Sequence, residues 1–283
     1  MKKVAIITDS SAYLPEDIVQ SLGIHVVPLT LHWGDDSYRD GVDIKAEEFY
    51  QRLAQSDTLP TTSQTTVGEF EKLFTALLEQ DFAVLAILIS SGISGTVESA
   101  LQAKTSFSDA SLEVIDSKLV SMALGFMVLE VARAANEGAT LAECQALAEE
   151  VYPRIGVYFT VDTLKYLNKG GRINTAKRLM GSALNIKPIM EIRNGKIELV
   201  ESVRSRKKAV LRMLELAEKG IAGREPVKIS TFHAAAEEDN QALMDEAVRR
   251  FNPTETILTQ VSPVVGTHTG PGTLSIAYLA GEG

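Results

Sequence analysis

The sequence predicts an α/β protein of two domains: an N-terminal one with a mainly parallel sheet and flanking helices, and a C-terminal α/β one with antiparallel pairing. Three observations predict it. The first half alternates helical periodicity with near-continuous apolar runs, the pattern of strands covered on both faces. The second half carries Asn194-Gly195 between two β-rich runs, which fits a type I′ hairpin because both central positions tolerate positive φ. The chain also has 283 residues, 45% of them apolar, against about 150 residues for one average domain.

Taken in order, Lys3 to Thr8 is the first strand and ends in polar Asp9-Ser10-Ser11. Pro15 stands where a helix can begin and Gly23 where it ends. Ile24 to His32 reads as the next strand, and Ala46 to Ala54 as a helix. Thr66-Val-Gly-Glu69 matches a capping box ahead of Val67, Phe70, Phe74, Leu77 and Leu78, which share one helical face. Phe82 to Ser90 is a buried strand, and Gly92-Ile-Ser-Gly95 turns the chain into a helix from about Thr96 to Ser106. A strand at Ser111 to Asp116 precedes helices around Ser121 to Asn136 and Leu141 to Tyr152.

The second half opens with a strand at Gly156 to Val161, followed by a helical stretch, Asp162 to Leu179, interrupted at Gly170-Gly171. The hairpin strands are Pro188 to Arg193 and Lys196 to Val203. A helix bearing Val210, Met213, Leu214 and Ala217 on one face follows. Strands at Val227 to Phe232, Thr256 to Val261 and Leu274 to Ala280 complete the chain, with a helix at Asn240 to Phe251. Gly266 to Gly272 reads as a loop between the last two strands. The expected boundary gives domains 1–155 and 156–283, and without a flexible linker the halves should pack with a crevice between them.

Composition excludes several classes. The apolar run after Lys3 is shorter than the roughly 7 residues a signal-peptide core needs. No window approaches the roughly 20 apolar residues of a spanning helix, so a cytoplasmic protein without stable membrane insertion is expected. A single cysteine allows no internal disulfide, and four dispersed histidines form no metal-ligand pair. The net charge of -9 argues against nucleic acid. Within it, Lys165 to Arg212 holds 13 Lys/Arg and 3 Asp/Glu, a basic block that either faces an anion or an acidic partner, or spreads over solvated helix faces.

Three loops can carry chemistry. Ser90-Ser-Gly-Ile-Ser-Gly-Thr96 follows a strand and opens a helix. Small residues there let backbone approach a ligand, and the helix N-terminus with the hydroxyls of Ser94 and Thr96 suits a carboxylate or phosphate. A plain N-cap is the alternative. The loop lacks the Gly-Lys-Ser/Thr ending of a P-loop, and Thr96 stands where a nucleophile elbow has its last glycine. Thr62 and Ser63, within Pro60-Thr-Thr-Ser-Gln-Thr-Thr66, lie far enough before the helix to bind something, whereas Thr66 is its cap. His268, among three glycines and a proline, is placed to donate a hydrogen bond; His25, His32 and His233 read as structural. Arg172 can supply a fixed positive charge or stand free on the surface. Asp9 and Asp116 follow strands, as caps or as acids of a triad.

Together these segments resemble the DegV family, which includes the fatty-acid-binding subunits of bacterial fatty acid kinase. The likeness runs from Asp9-Ser-Ser through Thr62-Ser-Gln64, Ser90 to Thr96, Ile115-Asp-Ser117, Leu164 to Ile173, Lys187-Pro188 and Arg204-Ser-Arg-Lys-Lys208 to His268-Thr-Gly-Pro-Gly272, nearly the whole chain. It implies two α/β domains enclosing a buried acyl chain, with the carboxylate held at the domain junction. Carried over by position, Thr62 and Ser94 would donate to the carboxylate, Ser63 would lie beside them and Gly95 would offer its N–H. His268 and Arg172 would complete the network, with Thr269 a weaker candidate. Relatives often have proline where this chain has Thr65-Thr66 after Gln64, a departure expected to reshape the entrance without removing the donors.

The resemblance also implies a long-chain fatty acid as ligand, no catalytic residue, metal or cofactor, and a separate ATP-dependent fatty acid kinase that converts the presented carboxylate to an acyl phosphate for phospholipid synthesis. Arg204 and Arg206, near the end of the basic block, are the expected docking residues. The competing expectation is a serine acyl hydrolase or acyltransferase with Ser94 as nucleophile, His268 as base and Asp9 or Asp116 as orienting acid. A small-anion sensor or scaffold is the third.

Overall fold

A computed structural model describes residues 2–179 and 186–282. In chain order the strands and helices begin with β1 (Val4–Asp9), α1 (Glu16–Leu22), β2 (His25–Val27), β3 (Thr30–Trp33), β4 (Asp36–Arg39), α2 (Ala46–Gln55), β5 (Thr61–Ser63) and α3 (Val67–Glu79). They continue with β6 (Ala83–Leu88), α4 (Thr96–Lys104), β7 (Leu112–Asp116), α5 (Ser121–Asn136), α6 (Leu141–Val151), β8 (Ile155–Thr160) and α7 (Lys165–Lys169). The remainder are β9 (Lys187–Arg193), β10 (Lys196–Val203), α8 (Arg206–Ile221), β11 (Val227–His233), α9 (Glu237–Phe251), β12 (Glu255–Gln260), α10 (Pro263–Thr269) and β13 (Leu274–Ala280).

Continuous apolar strands give the first sheet, all parallel in the order β2-β1-β6-β7. Every residue of β1 and β6 is buried, as strands covered on both faces must be. The second sheet is mixed, in the order β10-β9-β8-β13-β11-β12. Its hairpin turn is the expected one, with Asn194 at φ 50° and Gly195 at 77°. Helix α3 begins with the expected capping box and buries Phe70, Phe74 and Leu77. No described helix is long and apolar enough to cross a membrane.

Three readings of the sequence are corrected. Ile24 to His32 is not one strand: Pro28 and Leu29 divide it, and β2 pairs with β1 whereas β3 joins a small antiparallel sheet, β4-β3-β5, that the sequence reading missed. The stretch from Asp162 to Leu179 holds only one α-helical turn, α7, and a 3-10 helix at Asn174–Leu179, because Gly171 takes φ 72° and stops the first. Gly266 to Gly272 is not a loop throughout, since its first half is the end of α10. Ser262 accepts the Val265 N–H and Pro263 occupies the first turn, so the start signals lay upstream of the residues that attracted notice.

Helix α5 ties the two sheets together. It packs against β1, β8 and β13, and its Arg133 and Glu130 pair with Glu255 of β12 and Lys228 of β11 at 2.6 Å each. The space beyond the C-terminal ends of β1 and β6, closed by the mixed sheet and α10, is where open parallel sheets place ligands.

Candidate functional site

A cavity fills that space, about 880 Å³ free of protein atoms when the open solvent continuous with it is counted. Its walls are apolar. Leu29, Ile89 and Val120 come from the first half, and Val157, Phe159 and Phe232 from the mixed sheet. Strand alternation explains the last group: Val157 and Phe159 are two residues apart on β8 and so face the same way.

At one end the wall turns polar. Thr62, Ser63, Ser94, Arg172, His268 and Thr269 all line the cavity there, so the structure gathers residues as distant in sequence as Thr62 and His268, 206 positions apart. Thr62, on β5, shares a 2.8 Å hydrogen bond between its Oγ1 and His268 Nε2. The other ring nitrogen, Nδ1, is buried without a partner, pressed against Gly170, where a Cβ would run into the imidazole. An orphan buried donor is rarer than an orphan acceptor. Nε2 therefore carries the proton, donates to Thr62 and leaves the Thr62 O–H free to donate onward. Burial, with Arg172 adding to it, pushes the His268 pKa down to about 4, so the ring is neutral at pH 7.

Ser94 is set by its own loop. Its Oγ lies 2.8 Å from Thr96 Oγ1, and Ser90 Oγ donates to Gly195 O at 2.8 Å, tying the loop to the hairpin. Gly95 precedes α4 without a side-chain cap, and a Cβ there would meet the Gln64 amide at 2.8 Å. Gly95 borders not the cavity but a shallow outer depression, which shares Ser94 and Arg172 with it. Arg172 spans the two, its Nε donating to Ile93 O at 3.2 Å and its Nη1 to Gly170 O at 2.6 Å.

The remaining candidates have other work. Thr269 Oγ1 donates to Val265 O within its own helix at 3.3 Å. Asp9, buried, accepts from Ile89 N at 2.7 Å and from Ser11; Asp116 accepts from Ser91 and Lys118. Neither bonds His268, and His268 bonds Thr62 in place of Ser94, so the hydrogen bonds of a nucleophile, base and acid triad are not made. Arg206 is pinned by Asp162, Asp239 and Gly272 O while Arg204 is exposed. Of the histidines read as structural, His32 holds Ser63 Oγ at 2.9 Å and Ser37 Oγ at 2.8 Å. Among the described residues no group of three or more His, Cys, Asp or Glu side chains is placed to hold a metal.

Sequence reasoning missed Asp40. It is buried just beyond β4, accepts from Ser10 Oγ at 2.7 Å and from Val264 N at 3.2 Å, and so holds the start of α10, whose last turn contains His268. Burial raises its pKa to about 6. An aspartate before glycine signals only a turn, and nothing in the local sequence announced the contact.

The family model described as an uncharacterised protein of the DegV family matches residues 3–281. A DegV domain-containing protein of Caldanaerobacter subterraneus is 36% identical over 98% of this chain and 99% of its own. Among solved structures, a fatty-acid-binding DegV family protein from Thermus thermophilus superposes with TM-score 0.93 at 31% identity, covering 98% of this chain and 99% of that one. DegV of Bacillus subtilis, a fatty acid binding protein, gives 0.90 at 32% identity over 99% and 100%.

Proposed function

The chain belongs to the DegV family, and on that premise we propose that it binds a long-chain fatty acid, the tail in the apolar cavity and the carboxylate at its polar end. The observation that carries this is the cavity itself: hydrocarbon walls that end at Thr62, Ser94 and His268. Each methylene withdrawn from water contributes about 0.8 kcal/mol, so the walls supply affinity and the mouth sets orientation. Thr62 O–H and Ser94 O–H donate to the carboxylate, and neutral His268 holds Thr62. Arg172 balances the negative charge, Gly95 borders the outer depression, and Ser63 and Thr269 shape the rim. The reading places the division between domains 1–155 and 156–283 across this cavity.

Organic extraction of freshly purified protein followed by mass spectrometry tests it. A fatty acid should accompany the wild type, and Thr62→Val and Ser94→Ala should retain much less while remaining folded. Repeated preparations without lipid, or variants that retain it fully, would refute the reading.

We propose further, from the resemblance to the DegV subunits of fatty acid kinase, that the bound carboxylate is presented to an ATP-dependent fatty acid kinase; in keeping with this, Ser94 bonds Thr96 and not His268, whose Nε2 is engaged by Thr62. Arg204, Lys207 and Lys208 are exposed and carry the docking charge. Arg206, engaged internally, supports the surface from behind. Arg204→Glu should weaken binding to the purified kinase, and unchanged affinity would remove this surface from consideration.

A further inference from the structure

Eight hydroxyl-bearing side chains line the cavity, and they divide into two sets. Five are satisfied within the protein. Thr62 meets His268, Ser63 meets His32, and Ser94 meets Thr96, while Thr269 and Thr273 donate to the carbonyls of Val265 and Gly270. The other three are Tyr13, Ser121 and Ser275, 7%, 5% and 1% exposed; the Tyr13 O–H is buried without a partner among the described residues, and Ser121 and Ser275 line the same cavity.

These three belong to the apolar walls. On β13, Ser275 stands in register with Phe159 on one side and Phe232 on the other, both of which line the same cavity. The Phe232 ring in turn meets the edge of Tyr13 at 5.7 Å between centroids. Ser121 opens α5, whose first turn has no side-chain cap, so unpaired N–H groups lie beside its hydroxyl. Tyr13 and Ser121 also hold positive φ, 58° and 63°, a strained region for side-chain-bearing residues that is kept where the surroundings impose it.

A buried hydroxyl without a partner destabilises the fold, and native structures hold few of them. A purely hydrocarbon tail would leave the Tyr13 O–H unpaired and offer nothing to the hydroxyls of Ser121 and Ser275. Resting on the fatty-acid reading above, we propose that the cavity is built for an acyl chain bearing an oxygen substituent along its length, a mid-chain hydroxy fatty acid, which Tyr13, Ser121 and Ser275 hydrogen-bond.

Affinities of stearic acid and of its monohydroxy positional isomers, measured by displacement of a fluorescent fatty acid, test this on the full chain. At least one isomer should bind wild type tighter than stearic acid by roughly fivefold, the worth of one net hydrogen bond. That preference should vanish in Tyr13→Phe/Ser121→Ala/Ser275→Ala. The single variant Tyr13→Phe, which keeps the ring, should reduce the preference if the triple variant does not fold. Stearic acid bound as well as every isomer, or a preference that survives these substitutions, would overturn the proposal. Failure of all the acids to bind would instead overturn the fatty-acid reading itself.

Discussion

On one side of the cavity mouth Ser94 is fixed by near neighbours in sequence, Thr96 across one residue and the turn from β6 into α4. On the other, Thr62 and His268 stand 206 positions apart and meet because the small sheet and α10 are packed together. The first arrangement survives as long as its own loop does. The second reports on tertiary packing: Phe49 and Tyr50 of α2 lie under Gly266, and Tyr50 O–H donates to Val261 O at 3.0 Å just ahead of α10. The half assembled from a distance is therefore expected to lose its geometry first when packing is weakened.

Two core phenylalanines break this comparison apart with the largest expected effect. Phe49 and Phe74 are both fully buried, and Phe→Ala at such sites costs about 3–5 kcal/mol. Thermal melts should show both variants strongly destabilised. Lipid retained per folded molecule should fall only for Phe49→Ala, whose ring stacks edge-on to Trp33 and Tyr50 beneath α10; Phe74 packs in the separate core of α3 and the parallel sheet. Equal retention in the two would mean that the distant half of the mouth is no more dependent on packing than the near half.

The same division explains what could be read from the sequence. The parallel sheet was legible because β1 and β6 are apolar at every position, and the Ser90–Thr96 turn because its small residues and its helix start are contiguous. Thr62 and Ser63 drew notice as spare hydroxyls, but their strand did not, since a three-residue strand has no periodicity to detect. Helix α10 was mistaken for loop because seven residues holding two threonines and a glycine carry little helical signal. Contacts such as Asp40 to Val264, 224 positions apart, leave no local trace at all.

Acid should also move one side of the mouth and spare the other, with a smaller effect. Helix α10 has a titrating group at each end, Asp40 at its start and His268 in its last turn, whereas Ser90 to Thr96 contains none. Asp40, raised to about 6 by burial, favours its protonated form, so its contribution is present at low pH and is lost as pH rises from about 4 through 6. His268, lowered to about 4, resists protonation, so stability is lost as pH falls from about 6.5 towards 4. The two slopes oppose each other over one window, each bounded by about 3 kcal/mol, and largely cancel in the wild type. Substitution separates them. The melting temperature of wild type minus that of Asp40→Asn should rise as pH falls from 6.5 to 4, and wild type minus His268→Gln should fall. Asp9, also raised by burial, drops out of the His268→Gln difference; because its charge helps to raise Asp40, the Asp40→Asn difference reads the two carboxyls together. Hydrogen exchange across the same titration should then change in α10 and stay level in α4, and differences that run in the same direction would show that the two ends of α10 do not titrate against one another.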